Sequence, residues 1–589
     1  MLTLFSKPDL VLIHPPSVYD FRKMLIIPSP IADLIPSGQF FEMYPVGLSF
    51  IGEYLERHGI KVRILNLATM MLEDPALVVE KVISRLKPRI FGISFHWLVH
   101  CHGALEIARI CKKAHPSIPV VMGGYSASLF HRELLEYPQV DYVIRGDSAE
   151  EPVRLLLSAL ESDADLGKVP NLTHRDPSTG AQLVNELSSV PESLGQLGDN
   201  YLFMIKSAIK HADIRGPNAF KNWWSYPLTA VLTCRGCLKN CSFCGGSSWS
   251  MARCFNRTKP AFRTPESIAR DVETIKSFTG APIFIIGDIR QAGDDYADEI
   301  LQALERVKPK NHVVLELFEP APRRFFERVA ESLPNFDLEI SPESHDERVR
   351  LAVGKRYTNP ELELNIRWAL EAGCGKVDVF FMIGLPHQTP QSVNETVGYC
   401  SSLLAEHGTR VNPLIGPLAP FLDPGSIAHE YSERNGYRLF HHTLEDYRTA
   451  MLHPHWRDML GYETRWMSRQ EIIDATYAAL LKLNRIKGEH RLVSENYMNE
   501  MDRFLRDCVS LLKRLDEAEN ISDPIGREEA LIGIKEASDL LHERSAIVKE
   551  EIRWPVQGAR FRYGGVLRMI LGSLLHKRPS SRSQPERPG

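Results

Sequence analysis

Residues 233–247, TCRGCLKNCSFCGGS, place four cysteines, Cys234, Cys237, Cys241 and Cys244, within eleven positions. Thiolates bind soft and borderline metals, and four of them complete a structural zinc site or hold a full iron–sulfur cluster. Zinc sites usually pair two CxxC units across a longer gap. Here Cys234 and Cys237 sit just ahead of Cys241, and no distant second pair follows. Setting Cys234 aside leaves C-x3-C-x2-C on one loop, directly after an expected strand. Such a loop can give one thiolate to each of three irons and leave a fourth iron open to a small molecule. An open position is what a catalytic metal needs and a structural one avoids. A three-thiolate iron–sulfur site is the leading reading, with zinc or a role without metal as alternatives. The remaining cysteines, Cys101, Cys111, Cys254, Cys374, Cys400 and Cys508, are scattered and read as small buried apolar residues.

The chain around this loop has 589 residues, 43% of them hydrophobic and 24% charged, with a net charge of −4 and a pI near 6.6. These figures suit about three or four soluble domains. They lack the basic excess of a nucleic-acid-binding surface. No charge-free apolar run reaches the roughly 20 residues that span a bilayer. The start, MLTLFSKPDLVLIHPP, lacks a basic region followed by a long apolar stretch, so no signal peptide is expected. The expected location is the cytoplasm, where thiols stay reduced and clustered cysteines act as ligands or catalysts.

Strands and helices must position the loop, and two alternating series do so. In the first, DLVLI (9–13), KVRILNL (61–67), RIFGIS (89–94), PVVMGG (119–124) and YVIRGD (142–147) read as strands between helices such as GALEIARICKKAH (103–115). The alternation predicts a Rossmann-like, doubly wound parallel sheet over residues 1–160. Residues 161–225 read as a linker with local structure, including the turn pattern RDPSTGAQLV. The second series, LTAVLT (228–233), PIFIIGD (282–288), HVVLELF (312–318), FDLEIS (336–341), KVDVFFMIG (376–384) and RVNPLIG (410–416), predicts a partial (β/α)6 barrel over 226–430. Catalytic groups are then expected at the strand C-termini. Thr264 and Pro265 suit the N-cap and first position of a barrel helix. Residues 431–552 read as a mainly helical C-terminal domain, and 553–589 as a basic amphipathic segment with a disordered tail.

The stretch CLKNCSFC resembles the cluster loop of the radical S-adenosylmethionine (SAM) enzymes, with TCRGC standing where that family often has SRGC. The resemblance implies a [4Fe-4S] cluster on Cys237, Cys241 and Cys244, Cys234 as a bystander, and SAM chelated to the unique iron. Phe243 would border the adenine. Gly287 and Asp288 of IIGD match a GGE-like motif that contacts the methionine amine, and Ser341 and Glu343 of ISPESHDERVRLAVGKRYT would face the SAM ribose or carboxylate. FFMIGLPHQT (380–389) resembles the family's FIIGLPGET segment, with His387 in place of a glycine, and PFLDPGS (420–426) resembles its barrel-closing segment.

The N-terminal domain resembles the cobalamin-binding domains that precede the barrel in part of that family. Ser94 matches S-x-L, with His96 in the leucine place; Gly123 and Gly124 match the Gly-Gly turn; Gly146 and Asp147 match a GEGE-type ending. The D-x-H-x2-G loop is missing, so no histidine is placed under cobalt by that motif. His14, His96, His100 and His102 are nearby alternatives, with capping or surface roles equally open.

The family implies a cobalamin-dependent enzyme that generates a 5′-deoxyadenosyl radical and delivers methyl from methylcobalamin to an unactivated carbon. A flavodoxin or ferredoxin would serve as external electron donor. Ring formation or rearrangement on the same scaffold, or a non-catalytic iron–sulfur or corrinoid protein, are the rivals. The segment YGGVLRMILGSLLHKR (563–578) is apolar around a narrow polar stripe and flanked by arginines and lysines. It reads either as a final docked helix or as a peripheral contact with an anionic membrane. The second reading favours a lipid or isoprenoid substrate over another small molecule.

Overall fold

In the computed structural model of this protein, residues 7–29, 46–198, 200–211, 223–545 and 558–565 are described, with single positions among 213–221 and at 567. The first strand series forms a seven-stranded sheet in the order β2-β1-β3-β4-β5-β6-β7. Its members are β1 (Leu10–His14), β2 (Val62–Asn66), β3 (Ile90–Ser94), β4 (Val120–Gly123), β5 (Tyr142–Ile144), β6 (Leu172–Arg175) and β7 (Gln182–Val184). The first five are parallel. Side chains alternate across such a sheet. Leu10 and Leu12 pack on one face with the helices Gly47–Arg57 and Glu150–Ser162, and Val11 and Ile13 on the other with the helix Cys101–Ala114.

The sheet runs past the expected boundary at residue 160. β6 and β7 join it antiparallel, with Tyr142 opposite His174 and Thr173 opposite Val184. The helix Asn200–His211 then returns to it, and its Phe203 enters the same core as Leu55. Most of 161–225 is therefore part of the first domain. A three-residue strand such as β7, Gln182–Val184, carries too little periodicity to be read as a sheet member.

Six parallel strands follow in unbroken sequence order, from Thr229–Leu232 through Ile283–Ile286, Val313–Leu317, Phe336–Glu343 and Val377–Ile383 to Val411–Pro417. They are called here the first to sixth barrel strands. Ile283, Ile285, Val313, Leu315, Val377 and Val379 bury against the surrounding helices. The expected cap holds: the Thr264 side chain accepts from Ser267 N, with Pro265 at the first helical position. Three long helices, Arg469–Glu489, Glu495–Glu519 and Pro524–Ser545, complete the fold. Leu505, Leu511 and Leu515 share one core with Ile13, Phe91 and Val143, so the C-terminal region is built onto the first sheet.

The turns after β5 meet the turns after the first barrel strand, so the C-terminal ends of the two sheets face one another. Arg257 forms a bidentate ion pair with Asp147 and also donates to Pro191 O at 3.0 Å. Arg235 pairs with Glu150 and donates to Ser148 Oγ at 2.9 Å. All four charged groups are at least nine-tenths shielded from water. Removing one partner of a buried pair strands the other, at a cost of about 3–5 kcal/mol. Arg257→Ala is expected to lower unfolding free energy by about that amount, read from the denaturant midpoint, and the double change Arg257→Met/Asp147→Leu to lower it much less. Equal losses in the two variants would show that the pair is not what holds this junction.

Candidate active site

The cysteine loop is fixed at both ends. Cys234 and Arg235 form a short strand paired antiparallel with Ala261 and Phe262, and Ser247 caps the helix Ser248–Phe255 by accepting from Ser250 N. Between them, Lys239 N donates to Cys237 Sγ and Gly246 N to Cys244 Sγ, each at 3.3 Å. Backbone N–H groups aimed at sulfur stabilise thiolate character and tune iron–sulfur clusters. Two further segments hold the loop. Gly245 N donates to Asp423 Oδ2 at 3.0 Å, and Ala428 N to Ser242 O at 2.7 Å. A Cβ on Gly354, whose φ is +92°, would lie 2.6 Å from Asn240 O, so only glycine allows the segment after the fourth strand to reach the loop.

Cys234 is placed differently. Its Sγ accepts from Gln291 Nε2 at 3.5 Å and donates to Gly236 O at 3.6 Å, while Gln291 Oε1 accepts from Leu238 N. It is a satisfied structural thiol in the strand below the loop. Burial pushes the Cys237 thiol up to about 11 and raises Cys241 and Cys244 as well. Cys237, Cys241 and Cys244 keep partial access to solvent-sized space despite that burial. Such thiols lose their protons to a metal rather than to water. Among the described residues no three His, Cys, Asp or Glu side chains gather tightly enough around one point for a single metal ion. A cluster that takes each thiolate on a separate iron needs a wider spread. The donor set, the N–H···S bonds and the half-open loop fit a three-thiolate cluster.

Beside the loop, at the bulged end of the fourth strand, stands Glu343 with φ +67°. Lys355 Nζ lies 2.8 Å from Glu343 Oε1 and donates to Ser341 O. Glu343 Oε2 and the Tyr357 hydroxyl are buried without a protein partner. Burial raises the Glu343 carboxyl, against the pull of Lys355, and both Lys355 and Glu343 bear on the Cys241 thiol. An orphaned carboxylate oxygen next to the cysteine loop fits an amine or hydroxyl of a bound ligand. Phe243 lies half-buried against Val349, Val353 and Leu385. Gly287 sits at the end of the second strand, but its N–H donates to Glu316 Oε2 at 2.8 Å. Asp288 is spent: it pairs with Arg290, at 2.9 and 2.5 Å, and accepts from Phe318 N. Its side chain is a strand-end cap and not a free contact for an amine.

On the facing sheet, Ser94, His96, Gly123 and Gly124 come together after β3 and β4. Ser94 Oγ lies 3.3 Å from His96 Nδ1. Gly124 has φ +125°, and a Cβ there would lie 2.5 Å from His96 Cα. The rings of His14, His96 and His100 form a triangle with centroids 4.7–5.7 Å apart. Burial and the neighbouring His100 hold His96 well below the usual imidazole range, so it stays neutral at pH 7. His102 instead accepts from Tyr19 N and turns into the domain. Gly146 N donates to Ser128 Oγ at 2.9 Å, and Asp147 forms the buried ion pair with Arg257. Tyr125, which the sequence did not single out, links the halves. Its ring packs 4.6 Å from Phe255, and burial, then Asp147, then the Cys244 thiol raise its hydroxyl.

The barrel interior carries polar groups that the sequence reading also passed over. Glu316, Glu339, Asp378 and Asn412 are in register on adjacent strands. Burial, then Asp378 and Glu316, push the Glu339 carboxyl up to about 8. Lys376 and Asn412 anchor Asp378 at 2.7 and 2.9 Å. The available signal was a charged residue in the alternate slots of otherwise apolar strands, as in VVLEL and FDLEIS.

A family model described as the B12 binding domain matches residues 40–156, and one described as the radical SAM superfamily matches residues 231–400. This chain joins a B12-binding domain to a radical SAM domain. Among curated proteins it is similar to the hopanoid C-3 methylase of Methylococcus capsulatus, at 26% identity over 49% of this chain and 50% of that protein. The chain thus spans about half the length of that relative. It is also similar to the cytidylyl-2-hydroxyethylphosphonate methyltransferase of Streptomyces wedmorensis, at 23% identity over 63% of this chain and 74% of that protein. Among solved structures, the radical SAM methyltransferase TsrM from Kitasatospora setae, with cobalamin and a [4Fe-4S] cluster bound, shares the fold. The TM-score is 0.57 at 15% identity, covering 92% of this chain and 100% of that one. The cobalamin-dependent SAM radical enzyme OxsB aligns with TM-score 0.52 at 13% identity, covering 97% and 80%.

Changing Cys237, Cys241 or Cys244 to serine is expected to abolish iron and sulfide retention after anaerobic reconstitution, while Cys234→Ser keeps it. Loss of iron in Cys234→Ser equal to that in the other three would assign the fourth thiol to the metal.

Proposed function

We propose that this protein is a cobalamin-dependent radical SAM methyltransferase acting on an unactivated carbon. The observation that carries the reading is that buried ion pairs and the Tyr125–Phe255 contact bring the strand ends that bear Ser94, His96 and Gly124 to the same junction as the three-cysteine loop. When bound, a [4Fe-4S] cluster with SAM supplies a radical that removes hydrogen, and methylcobalamin supplies the methyl group. The residues of the chain bind and orient. Cys237, Cys241 and Cys244 hold the cluster. Glu343 Oε2, fixed by Lys355, accepts a hydrogen bond from SAM. Phe243 walls the loop against Val349, Val353 and Leu385. Ser94, Gly123 and Gly124 would give a corrinoid close approach to backbone, with His96, neutral and oriented through Nδ1 by Ser94, beside them. Tyr125, packed on Phe255 and near Cys244, would stand at the boundary between the two cofactor domains. A flavodoxin- or ferredoxin-type donor would reduce the cluster. The hopanoid relative supports a lipid or isoprenoid-type substrate.

The test is anaerobic reconstitution with cobalamin, reductant, SAM and lipid extract, followed by mass spectrometry. A product heavier by one methyl, with S-adenosylhomocysteine and 5′-deoxyadenosine, is expected. Deoxyadenosine with an unmethylated, cyclised product would favour ring formation, to which the similarity with the Synechocystis anaerobic magnesium-protoporphyrin IX monomethyl ester cyclase lends support. No deoxyadenosine would overturn both. Glu343→Gln should weaken SAM binding about tenfold or more, the worth of a hydrogen bond to a charged group, with iron content unchanged. Unaltered affinity would remove Glu343 from the SAM site.

A further inference from the structure

The face opposite the cysteine loop, at the N-terminal ends of the barrel strands, carries a second feature. Gly280, Lys310, His312 and Asn335, from the turns into the second, third and fourth strands, join Arg560 and Arg562 around an open pocket of about 280 Å³. No acidic residue is among those that line it. Asp337, one strand layer in, is engaged by His312 Nε2 at 2.7 Å.

The two arginines are held there by main-chain bonds. Gly558 N donates to Ser225 O at 2.7 Å, Ala559 N to Trp224 O at 2.9 Å, Arg562 N to Phe278 O at 2.7 Å, and Gly280 N to Arg560 O at 3.2 Å. The segment 558–565 is thus fastened to the barrel so that its cations meet Lys310. The chain as a whole is net negative, at −4, so this positive surface is local and directional.

Aromatic and apolar side chains belong to the same segment and the strip it is fastened to. Trp223, Trp224 and Phe561 pack together with centroids 5.3–6.2 Å apart. Trp224 is 42% exposed, Tyr563 81% and Leu567 57%. Exposed Trp and Tyr beside clustered Arg and Lys match the headgroup layer of an anionic bilayer, where the rings sit at the polar–apolar boundary and the cations meet phosphate.

We propose that this face docks on an anionic membrane. A phospholipid phosphate sits among Lys310, His312, Arg560 and Arg562, and Trp224, Tyr563 and Leu567 enter the headgroup layer. The inference does not depend on the chemistry assigned to the cysteine loop. It turns the barrel mouth away from the bilayer, so docking locates the protein rather than feeding the mouth directly.

Co-sedimentation of the full chain with phosphatidylcholine vesicles, with and without phosphatidylglycerol, tests it. Binding is expected only with phosphatidylglycerol, falling as salt rises. Lys310→Ala and Arg562→Ala should each lower partitioning roughly fivefold, the worth of one basic residue at an anionic surface. Lys310, Arg562 and Trp224 all lie at the surface, so reconstituted iron content should be unchanged in the three single variants, and Trp224→Ala should also weaken binding. Equal binding to neutral vesicles would overturn the proposal. So would unchanged binding of the Lys310→Ala/Arg562→Ala double variant, which would assign the attraction to the basic tail. Binding of inorganic phosphate without any partitioning onto phosphatidylglycerol vesicles would show a soluble-anion site and reject the membrane.

Discussion

The parallel strands of two sheets meet here at their C-terminal ends, and buried arginine–carboxylate pairs keep them there. Asp147 and Glu150 follow the last parallel strand of the first sheet; Arg257 and Arg235 flank the cysteine loop of the second. Charges removed from water are tolerated only when paired, so this junction has little freedom to open or slide. Everything chemical in the molecule depends on that restriction. The loop that presents Cys237, Cys241 and Cys244 begins two residues after Arg235, and Tyr125 spans from one sheet to the edge of the other. Strand ends leave unpaired backbone groups and variable turns, which is why sites gather there in both doubly wound sheets and barrels.

The strand series was legible because each buried strand is a short apolar run closed by a breaker. All six barrel strands fall where VLT, IIGD, LELF, LEIS, FFMIG and PLIG place them. The cysteine spacing is a local property of the sequence, and the structure sets Cys234 apart on its own short strand, bonded to Gln291. What the sequence could not give was the partner of each acid. Asp147 and Asp288 sit at motif-like positions, yet Arg257, 110 residues away in sequence, takes the first, and Arg290, two residues on, takes the second. Lys355 and Tyr357 lay inside a quoted motif, but their nearness to Cys241 is a product of the turn at Gly354. The extension of the first domain through β6 and β7 was read as linker because edge strands of three or four residues carry almost no pattern. Of the segment 563–578, only 563–565 and 567 lie within the described residues.

The two ends of the barrel are chemically unlike. At one, three thiols and an orphaned carboxylate oxygen lie close together, and burial shifts their protonation. At the other, the exposed Lys310, Arg560 and Arg562 stand beside exposed rings. The interior row of Glu316, Glu339 and Asp378 lies between them, with Lys376 and Asn412 offsetting the repulsion of its members. The C-terminal helices share a core with the first sheet while Arg469–Glu489 lies on the barrel, so one element braces both halves.

The claim on which the account turns is an iron left open by three thiolates. Electron–nuclear double resonance of the reduced, reconstituted protein, with SAM labelled by ¹⁵N at its amino group, tests it most directly. A hyperfine coupling between that nitrogen and the cluster is predicted, and it should persist in Cys234→Ser. A reduced cluster that shows no coupling to the label would contradict the account.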